Sequence, residues 1–448
     1  MDAEQLKLLG ARTRELLAQW DVAVSHGQAL DLVAALPGLR NWPEVIAFPD
    51  RVAAREIDLG ATGRLGRRIA AKLGDRLSPR AASWLDAVHL MDELAPWTIL
   101  EPRDATRRER LVVACGDSAP GGIRAAGIAD RVMKTAQQLV WGPVPYRDDP
   151  AEFLAARFAT WALDLGTSDQ PEDWERDAVA PELARHRTWE HQLAAFHEYD
   201  RIELWIDPQP NAQLQLLQLL DWLGRQDALA EKVFVMQGDG PVGDCGPFDI
   251  RNLRARVEKV GRRQFELATV AWRAFCEPTP RSWFDLLSSD LSALPHLRST
   301  VRALLGELPA ATTGLRATER RLLERIAGSG ATWLSVFPDM LRFDGVRVHG
   351  HWELGRLLDG LARGPRPALT GLPDGPFDMA LHDDRARLKD YQSSPLQLSP
   401  FGQALLRGED DIVRHRLVRF WWGGTKVTDT TLWRWDESRS MLDFSAST

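Results

Sequence analysis

Three short apolar runs constrain this chain more than any other feature. Leu111-Val112-Val113-Ala114-Cys115 stops at Gly116-Asp117-Ser118. Arg201-Ile202-Glu203-Leu204-Trp205-Ile206 stops at Asp207-Pro208, and Lys232-Val233-Phe234-Val235-Met236 stops at Gln237-Gly238-Asp239. Each run has the length of a strand and ends on turn-forming residues. Helix-periodic segments lie between them. One follows Gly121-Gly122 and contains Ile123 and Ile128; another is strongly apolar from Gln213 to Leu223. Strands alternating with helices are βα units, and βα units build a parallel sheet. The predicted fold class is α/β: a short, mainly parallel sheet with flanking helices.

With 448 residues the chain has room for about three domains. Residues 1–75 predict an all-helical module, with Leu6, Leu8, Leu9, Leu16, Leu17 and Trp20 at helical spacing and Ser25 as an N-cap. Residues 76–107 predict a linker with one helix, and residues 108–313 the α/β domain. A helix with Phe265, Ala268, Trp272 and Phe275 on one face closes that domain. Residues 314–448 predict a winged-helix-like domain. Its helices start at a capping Thr318, at about Thr332 and at His351. A two-stranded ribbon follows, from Pro367–Thr370 and Leu396–Ser399. The aromatic runs Trp421-Trp422 and Trp433-Arg434-Trp435 predict the arms of a terminal hairpin packed on that domain.

Composition removes several classes. A hydrophobic fraction of 44% and a charged fraction of 27% are globular values. No apolar run approaches the roughly 18 residues of a membrane span, and the acidic amphipathic start does not resemble a signal peptide. The three cysteines, Cys115, Cys245 and Cys276, form no CxxC pair, which favours a reducing cytoplasm. A net charge of −7 argues against a main role in binding polyanions. The one compact basic run is Arg64, Arg67, Arg68 and Lys72.

The candidate site is the edge where the predicted strands end. Gly116, Asp117 and Ser118 follow the first run, and loops after parallel strands are where such sheets bind ligands. A helix start there holds an anion through its free N–H groups. Asp207 and Asp239 end the next two runs, so Asp117, Asp207 and Asp239 are expected to share that edge. Three carboxylates at one edge suit Mg²⁺, but Asp is also common at such turns, and no metal is assigned. The loop is neither a P-loop nor a GxSxG elbow. His186, His191 and His197 are spaced by five and six residues, which does not put them on one helix face. His349 and His351 lack a third ligand for zinc.

Several segments resemble a bacterial family. The residues are Gly116-Asp117-Ser118, Gly142-Pro143-Val144-Pro145, Leu204-Trp205-Ile206-Asp207, Gln213-Leu214-Gln215-Leu216, Gly314-Leu315 with Thr318-Glu319-Arg320, and Trp422-Gly423-Gly424 with Trp433-Arg434-Trp435. Over about residues 108–440 they resemble the bacterial domain of unknown function 1835 family with its usual C-terminal companion. The first fifty or so residues, through Ser25-His26-Gly27-Gln28-Ala29-Leu30 and Leu39-Arg40-Asn41-Trp42, resemble a small helical module of glyoxalase-related proteins. The resemblance implies that Gln213 joins the ligand-binding residues. Relatives carry a His and two Asp where this chain has Pro208, Gln209 and Ala212; Asp207 keeps the first acid, and any chemistry such a cluster performs in relatives is largely lost here.

The expected function is that of a non-enzymatic ligand-sensing or scaffold protein. It binds a small anionic ligand through Gly116, Asp117, Ser118, Asp207, Gln213 and Asp239, and a protein partner through the winged-helix-like domain. It needs no cofactor and no membrane. One alternative is an enzyme acting on a phosphate-bearing or nucleotide-like substrate at the Gly-Asp-Ser loop. The other is a DNA-binding regulator, not favoured because residues 314–448 hold 19 Lys/Arg against 18 Asp/Glu.

Overall fold

The computed structural model describes residues 3–53, 59–78, 82, 109–116, 118–126, 128–135, 137–166, 195–245, 247–328, 331–333, 336, 347–373, 377, 381 and 384–445. The chain divides into two compact units that interleave along the sequence. The first holds residues 1–136, 196–207 and 232–259, and the second the remainder.

The first unit contains the sheet. β1 (Arg110–Cys115), β2 (Arg131–Thr135), β3 (Arg201–Ile206), β4 (Val233–Gln237) and β5 (Glu258–Lys259) are hydrogen-bonded in the order β2-β1-β3-β4-β5. β1 runs parallel to both β2 and β3, β3 runs parallel to β4, and only the two-residue β5 is antiparallel. The fold is therefore α/β with a mixed five-stranded sheet. The central strands β1 and β3 bury every residue but the first, as strands covered on both faces require. On one face Val112, Ala114, Trp205 and Met236 pack against Ala119, Ile123 and Ala126 of helix Ser118–Ala126 and against Ile250. β2 was not legible as a strand. Its burial alternates weakly between exposed Arg131 and Lys134 and buried Val132, Met133 and Thr135, the pattern of a short edge strand.

The same unit contains the N-terminal helices Ala3–Gln19, His26–Val33, Trp42–Ala47, Pro49–Ala53 and Leu59–Leu73, which share a core of Leu6, Leu9, Leu17, Leu32, Leu36, Leu65 and Ile69. Ser25 caps as expected. Its hydroxyl accepts from Gln28 N at 3.2 Å, and Gln28 Oε1 accepts from Ser25 N at 2.8 Å, a reciprocal capping box.

The second unit carries helices Pro150–Gly166, Pro210–Leu223, Arg262–Phe275 and Leu297–Leu305, then Ala317–Ile326 and His351–Ala362. β6 (Leu369–Thr370) and β7 (Gln397–Leu398) form a two-stranded antiparallel ribbon where one was expected. Helix Ala317–Ile326 is capped differently from the prediction. Arg316 is the N-cap, with Glu319 Oε2 accepting from its backbone N–H at 2.9 Å, while Thr318 lies in the first turn with its hydroxyl turned to Glu307. The stretch predicted as the helix from Thr332 lies largely outside the described residues.

The aromatic tail corrects another expectation. The two Trp-rich runs do not pair with each other; each is an arm of its own ribbon. β8 (Arg419–Trp422) pairs with β9 (Thr425–Thr428), and β10 (Leu432–Asp436) pairs with β11 (Met441–Ser445). The reason is Gly423-Gly424. Trp422 pairs with Thr425, so the two glycines make a two-residue turn, and φ of Gly423 is +57° as such turns need. That turn is pressed onto backbone. Gly424 N donates to Phe275 O at 2.9 Å, and a Cβ at Gly424 would meet Cys276 O at 2.0 Å. Carbonyls of a helix end cannot move aside. Gly424→Ala is therefore expected to cost about 2–3 kcal/mol in a chemical denaturation series, the upper part of the usual overpacking range. An unchanged midpoint would show that the turn is not held against Phe275 and Cys276.

Candidate functional site

Parallel β1, β3 and β4 end at one edge of the sheet, so the residues that follow them lie there together. Gly116 follows β1, exposed, with φ of +74°; its N–H donates to Thr135 O at 3.0 Å, and a Cβ would meet nothing within 4 Å. The chain thus presents bare, left-handed backbone directly before helix Ser118–Ala126. Asp117 and the side chain of Ser118 lie outside the described residues. Asp207 follows β3 and is half-buried. Its Oδ1 accepts from Val242 N at 2.8 Å, which fastens the end of β3 to the loop beyond β4. Asp239 follows β4 and points to solvent, where it pairs with Arg256 at 3.1 Å.

Two thiols that sequence reasoning did not place at this edge stand within electrostatic reach of Asp207. Cys115, the last residue of β1, is buried, and its Sγ accepts from the Thr135 hydroxyl at 3.4 Å. Burial pushes its thiol up to about 12, with the Asp207 carboxylate adding to the rise and the Thr135 hydroxyl opposing it. Burial also raises Cys245, helped by the carboxylates of Asp249, Asp244 and Asp207. Both sulfurs are therefore protonated at neutral pH and unfit as nucleophiles. No local motif marks this grouping, because residues 115, 207 and 245 meet only through the sheet.

The remaining sequence candidates fall elsewhere. Gln213 is buried on helix Pro210–Leu223 in the second unit. His186 and His191 lie outside the described residues, and His197 is exposed on a short turn. His349 and His351 do not act together. His349 is buried with Nε2 3.0 Å from Glu307 Oε2, whereas His351 is exposed with its ring 5.3 Å from that of Trp333. Among the described residues no group of three His, Cys, Asp or Glu side chains is arranged to hold a metal ion. No helix among them is long and apolar enough to cross a membrane.

Helix His351–Ala362, the third of the expected winged-helix-like domain, and the basic run are both committed to the fold. Helix His351–Ala362 buries Leu354, Leu357, Leu358 and Leu361, and also Glu353 and Asp359. Asp359 accepts from Tyr391 Oη at 2.5 Å and from Arg363 Nε at 3.2 Å, and also from Phe377 N. In the N-terminal module Arg64 donates to Ala35 O and Leu36 O, and Arg68 to Asp31 O and Leu39 O. These guanidiniums satisfy carbonyls at the end of helix His26–Val33, so only Arg67 and Lys72 of that run are not tied down in this way.

No protein-family model matches this chain, and no curated protein matches it. The family resemblance rests on the quoted motifs alone.

Proposed function

We propose that this is a non-enzymatic ligand-sensing or scaffold protein whose sheet edge binds a small anion at the loops after β1 and β3. One observation carries the reading: the strand order β2-β1-β3-β4-β5. The chain leaves β1 toward β2 on one side, and β3 lies on the other. The order reverses between β1 and β3, and the loops beyond such a reversal part to leave a crevice where open α/β sheets bind ligands. Gly116 borders that point with open backbone, and a nine-residue helix begins two residues later, offering N–H groups to negative charge.

Binding is favoured over nucleophilic transfer because the two thiols at the edge are held protonated and Asp207 is occupied by Val242 N. The C-terminal part, with its helices and β6–β7 ribbon, is proposed as a winged-helix-like module that contacts a protein partner. A reading helix must offer one face to the groove, and His351–Ala362 is buried on almost all sides. Three free cysteines suit the reducing cytoplasm in which we place the protein.

The test is calorimetric titration with inorganic phosphate and pyrophosphate. Saturable binding is expected for the native chain and not for Gly116→Asp. Asp tolerates the left-handed backbone, so the fold should lose no more than about 1 kcal/mol while a carboxylate occupies the anion's place. Equal binding by the variant, or none by the native chain, would remove the sheet-edge reading.

A further inference from the structure

Helix Pro210–Leu223 carries polar side chains where its neighbours are leucines. Gln215, Gln218 and Asp221 are only 3%, 6% and 1% exposed. Three residues apart, they climb one ridge of the helix in steps of about 60° and 4.5 Å. Asn211 stands one turn before Gln215.

The segment from Gln137 to Asp148 lies over this ridge as a strap. Asn211 Oδ1 accepts from Leu139 N at 2.7 Å and from Val140 N at 3.4 Å. Asn211 Nδ2 and Gln215 Nε2 both donate to Gln137 O, at 2.8 and 2.9 Å. At the far end Arg225 joins Asp221, at 2.9 Å, to Asp148. Between these anchors three sealed atoms have no hydrogen-bond partner: Gln137 Oε1, Gln215 Oε1 and Gln218 Nε2.

A buried amide atom without a partner is costly, and an apolar side chain of the same length would cost nothing. The sequence had that choice beside Gln215 and Gln218, since Leu214, Leu216, Leu217, Leu219 and Leu220 are all buried on the same helix. Violations of this kind concentrate where a surface serves something other than stability. Lifting the strap would free Gln137 and Gln215 for other partners, at the cost of its bonds to Asn211 and Arg225, of the Arg157 bonds to Gln138 O and Trp141 O, and of Val144 N to Gly423 O.

We propose that this carboxamide ridge is a binding surface beneath the strap, and that it takes a planar molecule whose edge alternates hydrogen-bond donor and acceptor. A nucleobase and a primary carboxamide share that edge. Side-chain amides match it with one acceptor and one donor, and Gln215 Oε1 and Gln218 Nε2 present one of each on adjacent turns. The proposal is independent of the sheet-edge site, whose probe is phosphate.

The full-length chain is titrated separately with adenosine and with nicotinamide. Saturable binding of at least one probe is expected. Adenosine alone identifies a base edge, nicotinamide alone a simple amide. Gln218→Met and Gln215→Met, which keep side-chain length, should weaken binding about tenfold or more, the scale of one hydrogen bond left unmade. Gln218→Met should also raise the melting temperature, whereas Gln215→Met should not, because it gives up the bond to Gln137 O. Binding of neither probe overturns the proposal. So does a lower melting temperature, or loss of folding, in both variants, because the glutamines would then be structural.

Discussion

Glu203→Ala is expected to lower the stability of the sheet-bearing unit by about 3–5 kcal/mol, the range for breaking a buried ion pair from one side. Glu203 sits on central strand β3 with no solvent exposure at all. One oxygen meets Arg201 Nε at 2.6 Å and Arg110 Nε at 3.0 Å, and the other accepts from Trp205 Nε1 at 3.0 Å. Removing the carboxylate leaves an indole N–H unmatched and two guanidiniums in mutual repulsion. Arg110 is already lowered, chiefly by burial. Arg201 is also held over the Phe234 ring at 3.7 Å, so it cannot swing out without losing that contact. Glu203→Gln keeps an acceptor and the shape; its cost should be about half that of the alanine variant, since charge-assisted bonds are roughly twice as strong as neutral ones. Urea denaturation of both variants measures the difference. A loss below about 1 kcal/mol for alanine would place this cluster among ion pairs that only break even.

The second large effect is expected at the tail. Trp422 is buried, its ring centroid lies 5.3 Å from that of Phe275 and 6.4 Å from that of Trp283, and its Nε1 donates to Leu304 O at 2.7 Å. Trp422→Ala should cost about 3–5 kcal/mol, as large aromatic truncations in a core do. Trp422→Phe retains most of the packing and loses the hydrogen bond, so about 1–2 kcal/mol is expected from it. Both are read by denaturation, with trypsin cleavage after Lys426 as a local report. A melt unaffected by the alanine variant would mean that the β8–β9 ribbon adds nothing to its unit.

These residues show how far the sequence could be read. The α/β grammar was legible because β1, β3 and β4 are short, mostly apolar runs followed by Gly, Pro and Asp, the signature of strands buried on both faces. β2 and β5 were not, because one is a charged edge and the other is two residues long. The glycine pair at 423–424 carried a turn signal, yet pairing each aromatic run with its own neighbour depends on register that no periodicity encodes. Asp207 and Asp239 were placed at strand ends from their turns. The bond from Val242 to Asp207, and the approach of Cys245, arise from loops meeting across the sheet and left no local trace. The burial of Asp359 likewise has no local signal in the sequence. It follows from Tyr391 and Phe377, partners distant in sequence, whose hydroxyl and backbone N–H the Asp359 carboxylate accepts from.

The interleaving of the two units also bears on how the chain is made. A ribosome delivers residues in order, at about 5–20 per second. The N-terminal helices emerge complete by residue 73, but β1 and β2 must wait for β3 at residue 201 and for β4 at residue 233. Meanwhile residues 137–195 and 208–231 belong to a unit that finishes only near the C-terminus. Neither unit can close before the other is partly synthesised, so the nascent chain holds an unfinished sheet edge for many seconds. Such a chain gains from a chaperone that covers β1 and β3 during synthesis, and fragments cut anywhere between residues 137 and 259 should aggregate rather than fold.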